Sequence, residues 1–274
     1  MGVPRFYRWI NHRYPNITQS LDIHESFEID HLYIDMNGII HSWTHNDSNP
    51  VKRDEEKVFS LIMNNIEVLF DKLRPQKTLF IAVDGVAPQI KMAQQRSRRF
   101  QSATAFKKML SLNKLSRDEC FDSVHISPGT EFMDRLHAKL MKFIESKMNL
   151  DPIWSQIQVI YSGHDCPGEG EHKMREYLSY RKTLPDYMPD ERHCFYGMDA
   201  DLIFLALTTH EKNICILREN VLKVSGSSPF FLPRCIIYIS VLRDYIELEF
   251  DELKLSNGEQ YSSKPNSCKS IREG

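Results

Sequence analysis

The sequence predicts an α/β domain built on a largely parallel sheet, and three observations lead there. Short β-branched and aromatic runs alternate with longer amphipathic ones. No internal repeat or long low-complexity linker divides the first 250 residues. Acidic residues fall repeatedly just past the apolar runs, where an open parallel sheet binds its ligands. At 274 residues and 41% hydrophobic, the chain holds enough apolar material for one large domain or a domain and a half.

The elements follow in order. Strands are predicted at His31–Met36, Thr78–Val83, Ile157–Ser162, His193–Tyr196 and Ile214–Leu217. Helices are predicted at Asp54–Leu73, Pro88–Leu112, Thr130–Met148, Gly170–Tyr180, Asp201–Thr208 and Val241–Phe250. Pro88 suits a first helical turn, and Pro128-Gly129-Thr130 reads as a turn leading into an N-cap. After Leu253 the chain becomes polar, turn-rich and aperiodic (Ser256-Asn-Gly-Glu-Gln-Tyr-Ser-Ser-Lys-Pro), so 1–253 is expected to be the domain and 254–274 a disordered tail.

The formal net charge of −2 excludes a global positive field, so any surface for a polyanion must be local. The six cysteines, Cys120, Cys166, Cys194, Cys215, Cys235 and Cys268, are scattered and form no C-x-x-C pair. That argues against a disulfide framework or a zinc site and for a reducing compartment. Met1-Gly-Val-Pro-Arg-Phe lacks the apolar core of a secretory signal, and Phe6 stands where myristoylation needs Ser or Thr. The apolar stretch Phe230–Leu242 is interrupted by Pro233 and Arg234 and is too short for a membrane span. A soluble intracellular protein is expected.

Asp35 closes the run Leu32-Tyr-Ile-Asp, and Asp84 closes Leu79-Phe-Ile-Ala-Val-Asp. Glu169 and Glu171 follow the third predicted strand, and Asp199 and Asp201 the fourth. One Asp past a strand is commonly a cap, and Asp201 stands where an apolar helix begins. Six carboxylates at four strand ends are another matter. Converging like charges repel and resist desolvation unless cations neutralise them. Oxygen-only ligands point to Mg²⁺ or Mn²⁺, and two such ions about 4 Å apart suit phosphodiester hydrolysis. Gly85, Gly168, Gly170 and Gly197 flank the acids and permit close approach of backbone and substrate.

Just past Asp84, Lys91, Gln95, Arg98 and Arg99 stand at i, i+4, i+7 and i+8, on one helical face. A solvated basic face would show the same spacing. Beside a carboxylate cluster, however, forked guanidinium donors and a compact ammonium suggest a pocket for a terminal phosphate. His41 and Trp43 could stack on a base or simply pack beneath the first predicted strand. His164 and His172, near the glutamates, could support them from behind, but read better as structural histidines.

Several longer runs then converge. Met1-Gly-Val-Pro-Arg-Phe-Tyr-Arg-Trp, Asp35-Met-Asn-Gly-Ile-Ile-His, Asp84-Gly-Val-Ala-Pro, Lys91 through Arg99, Ser127-Pro-Gly-Thr-Glu-Phe-Met, Pro167-Gly-Glu-Gly-Glu-His-Lys and Gly197-Met-Asp-Ala-Asp-Leu-Ile closely resemble the Xrn 5′→3′ exoribonucleases. The resemblance runs in order from Met1 to about Phe250. The segment between His41 and Asp54, with Phe6-Tyr-Arg-Trp, looks more like the cytoplasmic branch than the nuclear one. The resemblance implies a PIN/FEN-like α/β core, a largely parallel central sheet flanked by helices, with two divalent cations. It implies metal coordination and catalysis by Asp35, Asp84, Glu169, Glu171, Asp199 and Asp201. It implies 5′-phosphate recognition by Lys91, Gln95, Arg98 and Arg99, and base stacking by His41. The implied substrate is single-stranded RNA with a 5′-monophosphate, degraded processively in RNA decay, with no membrane partner.

The match has a departure. The family's downstream Gly-Asn-Asp-Phe-Leu-Pro motif, its second conserved region and the tryptophan opposite His41 have no counterpart here, so the chain looks like a fragment. Two other readings stay open: a structure-specific flap nuclease, against which the Lys91–Arg99 helix and N-terminal motif argue, and an RNA-end-binding protein with little turnover.

Overall fold

The computed structural model describes residues 5–21, 27–44, 54–113, 116, 120–219 and 234–256. In chain order the elements are α1 (Phe6–Arg13), β1 (Thr18–Leu21), β2 (His31–Asp35), α2 (Met36–Thr44), α3 (Glu55–Leu73), β3 (Thr78–Ala82), α4 (Gln89–Asn113), α5 (Glu131–Leu150), β4 (Gln158–Ser162), α6 (Gly170–Arg181), β5 (His193–Tyr196), α7 (Asp201–Thr208), β6 (Ile214–Glu219), β7 (Arg234–Tyr238) and α8 (Ile239–Ser256). One seven-stranded sheet runs β1-β7-β6-β5-β2-β3-β4. Its β6-β5-β2-β3-β4 portion is parallel, and β7 and β1 extend it antiparallel. The expected PIN-like α/β architecture is what these residues form.

Burial on both faces explains why the inner strands read as continuous apolar runs. Alternate residues of each strand feed separate cores. Leu32, Ile34, Leu79 and Ile81 pack with α3 and α5 on one side. Tyr33, Phe80, Phe195 and Ile216 pack with α6, α7 and α8 on the other. α3 buries Val58, Phe59, Ile62, Ile66, Leu69, Phe70 and Leu73, a stripe at helical period, and Asp54 caps it by accepting the Lys57 N–H. Thr130 caps α5 as its sequence context suggests, accepting the Met133 N–H.

Five predicted strands and six predicted helices are present, with ends moved by one or two residues apart from the end of α8, which lies six residues further on. β1, β7, α1 and α2 are additions to that reading. α2 begins directly after Asp35, so Met36, expected to end the strand, is helical. α8 starts at Ile239 and continues to Ser256, past the expected boundary at Leu253; the rest of the expected tail lies outside the described residues. Met1–Pro4 and most of the segment between His41 and Asp54 also lie outside them. The five cysteines among the described residues are free, and Cys268 lies outside. Among the described residues no helix is long and apolar enough to cross a membrane.

The strand order reverses at β2. The chain proceeds from β2 to β3 to β4 on one side, then returns to β5 on the other. The crevice beyond the carboxyl ends of β2 and β5 is therefore the switch point, where open α/β sheets bind ligands.

Candidate active site

Three helices begin at this crevice, and their positive ends face it. Asp35, at the end of β2, is buried and accepts the Asn37 N–H at 3.1 Å, capping α2. The Asn37 amide oxygen accepts the Asp84 N–H at 3.2 Å, and Asp84 Oδ1 accepts the Gly170 N–H at 2.6 Å, at the start of α6. Glu169 and Glu171, also buried, occupy the N-cap and first turn of α6. Asp201 is the first residue of α7, whose N-cap position is taken by Ala200. Asp35 and Asp84 thus both cap and cluster, whereas Glu169 makes no cap bond and Asp201 does not hold the cap position; helix dipoles and amide donors offset part of the acids' repulsion.

Glycine makes the convergence possible at two points. A Cβ on Gly170 would lie 2.8 Å from Asp35 Oδ1 and 3.4 Å from Asp84 Oδ1, so both carboxylates lie over the first turn of α6. A Cβ on Gly85 would lie 1.8 Å from the Cys166 carbonyl oxygen. There two backbone segments are clipped together, Gly85 N–H to Gly168 O at 2.8 Å and Gly168 N–H to Val86 O at 2.9 Å. This clip brings the loop holding Glu169 beside Asp84. Buried Lys173 adds a second tie, donating to the carbonyls of Val83 and Gly163, each at 2.8 Å, and so joining the ends of β3 and β4.

The electrostatics are those of a site short of positive charge. Burial, then the Asp84 charge, raises the Asp35 carboxyl well above the usual range, with Asp199 and Glu171 adding to the effect. Asp84 is raised by burial, although the Gly170 N–H opposes the shift. Glu171 is pushed up to about 7 by burial and by Asp199, Asp201 and Glu169, against the pull of Lys91. Burial alone would lower the Lys91 ammonium, but its bond to Glu169 and the charges of Glu171 and Asp201 raise it instead. The charges of Asp84, Asp199, Glu171, Glu169 and Asp201 are thus each felt by Asp35, Asp84 or Glu171.

Lys91 Nζ donates to Glu169 Oε2 at 2.5 Å and stands 3.8 Å from Glu171. Exposed His172 stands 3.7 Å from Glu169, at the edge of the cluster. His164 is buried, 3.3 Å from Asp134. Glu171 Oε2 is buried without a hydrogen-bond partner, so one hard oxygen has no donor in the protein. An oxygen-rich set with an orphaned carboxylate oxygen fits a hard divalent cation.

A cavity of about 250 Å³ opens next to the acids. Asp84, Asn37 and His41 line it together with Gln95, Arg98, Arg99 and Ser102 of α4. Ser123, Val124, Ile126 and Pro128 complete its lining. Gln95, Arg98, Arg99 and His41 therefore share one pocket, whereas Lys91 is turned to the glutamates. Trp43 packs against the α3 core. Sequence reasoning missed Asn37, Lys173 and the Ser123–Pro128 wall. The Ser127-Pro-Gly-Thr turn and Lys173, four residues after Glu169, were the available signals.

Residues 1–220 match the family model for the XRN 5′-3′ exonuclease N-terminus. The chain is 45% identical, over 93% of its length, to 5′-3′ exoribonuclease 1 of Schizosaccharomyces pombe, and 44% identical over 93% to that of Homo sapiens. It is 40% identical, over 81%, to the 5′-3′ exoribonuclease 2 homolog of Drosophila melanogaster. These matches take in 20%, 16% and 28% of the relatives' own lengths, so the chain spans well under a third of each.

Proposed function

The chain belongs to the XRN 5′-3′ exonuclease N-terminal family, and we propose that it carries the hydrolytic face of a 5′→3′ exoribonuclease acting on single-stranded RNA with a 5′-monophosphate. The observation that carries this reading is the shared residue Asp84, which belongs both to the acid cluster and to the lining of the cationic cavity. A terminal phosphate held by Arg98, Arg99 and Gln95 would bring the adjoining phosphodiester to the acids. Forked guanidinium donors suit phosphate oxygens, and a cavity of about 250 Å³ would favour a terminal monophosphate over a bulky cap.

Asp35, Asp84, Glu169, Glu171, Asp199 and Asp201 would hold two divalent cations, Mg²⁺ or Mn²⁺. When bound, such ions neutralise phosphate charge and make a water more acidic for attack on phosphorus. The chain's own residues do the positioning. Asn37 ties Asp35 to Asp84, Lys173 anchors the strand end before Asp84, and Gly85 keeps the glutamate loop close. Lys91, now bonded to Glu169 and 3.8 Å from Glu171, would be free to reach the phosphate when those two carboxylates are neutralised. His41, exposed at the cavity edge, would stack on the terminal base.

The higher identity to the exoribonuclease 1 relatives supports a cytoplasmic role in RNA decay, which localisation of a tagged chain tests. The function is tested by incubating the chain in Mg²⁺ with 5′-phosphate RNA, 5′-hydroxyl RNA and a flap substrate. Shortening of the 5′-phosphate RNA alone is expected. Equal attack on both RNA ends, or cleavage at the flap junction, overturns the reading, and phosphate-dependent binding without shortening leaves an RNA-end-binding protein.

A further inference from the structure

α4 is unlike the other long helices. Its 25 residues contain Lys91, Arg96, Arg98, Arg99, Lys107 and Lys108 and no Asp or Glu, in a chain whose net charge is −2. No residue of it is fully buried, so core packing does not account for its composition, and helix propensity, which Glu serves as well as Lys or Arg, does not account for the single sign of its charges. Its two sides have different work. Lys91, Gln95, Arg98, Arg99 and Ser102 lie on the face turned to the acids and the cavity. Arg96, Phe100 and Lys107, at i, i+4 and i+11, fall together on the opposite face. All three are exposed, Phe100 by 74%. Among the described residues no carboxylate pairs with Arg96 or Lys107.

An aromatic ring between two cations, spread over about 16 Å of helix, is the pattern that tracks a single strand: cations on phosphates, a ring on a base. We propose that the outer stripe Arg96–Phe100–Lys107 is a second nucleic-acid contact, holding RNA downstream of the 5′ end seated in the cavity. Charge complementarity selects the occupant: a helix without a single acid, already one wall of the phosphate cavity, continues the same electropositive surface outward. This rests on the reading of the cavity as a 5′-phosphate site, and the test separates the two.

The full chain, in chelator to prevent turnover, is titrated by fluorescence anisotropy into single-stranded RNAs of about 4 and about 25 nucleotides, each with 5′-phosphate and 5′-hydroxyl ends. Wild type is compared with Arg96→Ala/Lys107→Ala and with Phe100→Ala, all checked for native circular dichroism. These exposed side chains bury no core, so the variants should fold. The double variant should bind the long RNA about tenfold more weakly near physiological salt, with a salt slope flatter by about 1.4, the value for two lost phosphate contacts on a single strand. Phe100→Ala should weaken the long RNA without changing the slope. The short RNA should bind all three proteins alike and keep its preference for the 5′-phosphate. Unchanged long-RNA affinity and slope, with that preference intact, would overturn the stripe and leave the cavity reading standing. Loss of any 5′-phosphate preference in the wild type would overturn the cavity reading itself, and the stripe with it. Competition by polyglutamate equal to that by RNA of matched charge would make the stripe a site for acidic protein and overturn the proposal.

Discussion

Glu171→Gln should stabilise the protein in chelator, and by an amount that depends on pH. The carboxyl is moved from an ordinary value of 4.5 to about 7, chiefly by burial and then by neighbouring acids. A raised carboxyl makes the unfolded chain the better acid: as pH rises past 4.5 the unfolded state releases its proton while the folded state keeps it. Stability therefore falls through that window and stays low above 7. At about 1.36 kcal/mol per pH unit, the wild type gives up about 3 kcal/mol at pH 8 and under about 1 kcal/mol at pH 5. Glutamine does not titrate and avoids the loss. Urea unfolding of both proteins at the two pH values should give a stability difference about 2–3 kcal/mol larger at pH 8. Divalent cation should erase that advantage, since it stabilises the folded wild type by mass action. A difference that is the same at both pH values would refute the claim that Glu171 is a buried acid held against like charge.

Three further outcomes follow from the same structure. Gly85→Ala should cost about 2–4 kcal/mol in urea unfolding, because the new Cβ meets the Cys166 carbonyl oxygen and parts the Gly85–Gly168 clip; a loss below about 0.5 kcal/mol would contradict it. Arg98→Ala and Arg99→Ala should each reduce the preference for 5′-phosphate over 5′-hydroxyl RNA by about ten- to a hundredfold in a binding titration, for lost charge-assisted bonds of roughly 1.5–3 kcal/mol; equal weakening on both RNAs would make them general backbone contacts. At the opposite end of the sheet, burial and the neighbouring His31 hold His193 down to about 3 from an ordinary 6.5. Its contribution is complete above 6.5 and is lost as pH falls toward 3, because the unfolded chain takes up the proton first. Stability should drop by up to about 1.4 kcal/mol per pH unit between pH 6 and 4, and His193→Gln should flatten that slope.

Much of the fold was legible because the inner strands are buried on both faces and so read as unbroken apolar runs bounded by turns. The strand ends carried the acids, and parallel topology dictates that such ends share one side of the sheet. β1 was not legible: Thr18-Gln-Ser-Leu has little strand character and owes its state to pairing with β7, more than two hundred residues away. α2 escaped because Asp35 ends a strand and caps a helix at once, with no loop between to mark the change. In the candidate site, residue types gave the acids and the pocket face of α4. They could not show that Lys91 would bond Glu169, or that buried Lys173 would tie two strand ends through their carbonyls, since each depends on which loops the sheet brings together. The Ser123–Pro128 wall was unreadable for the same reason.

The central claim is that the acids at the ends of β2, β3 and β5 and around the start of α6 form one divalent-cation centre. Its most direct test is a Mn²⁺ titration of the purified chain, with free ion read by electron paramagnetic resonance, alongside Asp35→Asn and Asp84→Asn. Saturable binding is expected, displaced by Mg²⁺ and weakened about tenfold or more in each variant while circular dichroism stays native. Saturable binding of equal strength in the wild type and both variants would place the ion elsewhere and contradict it.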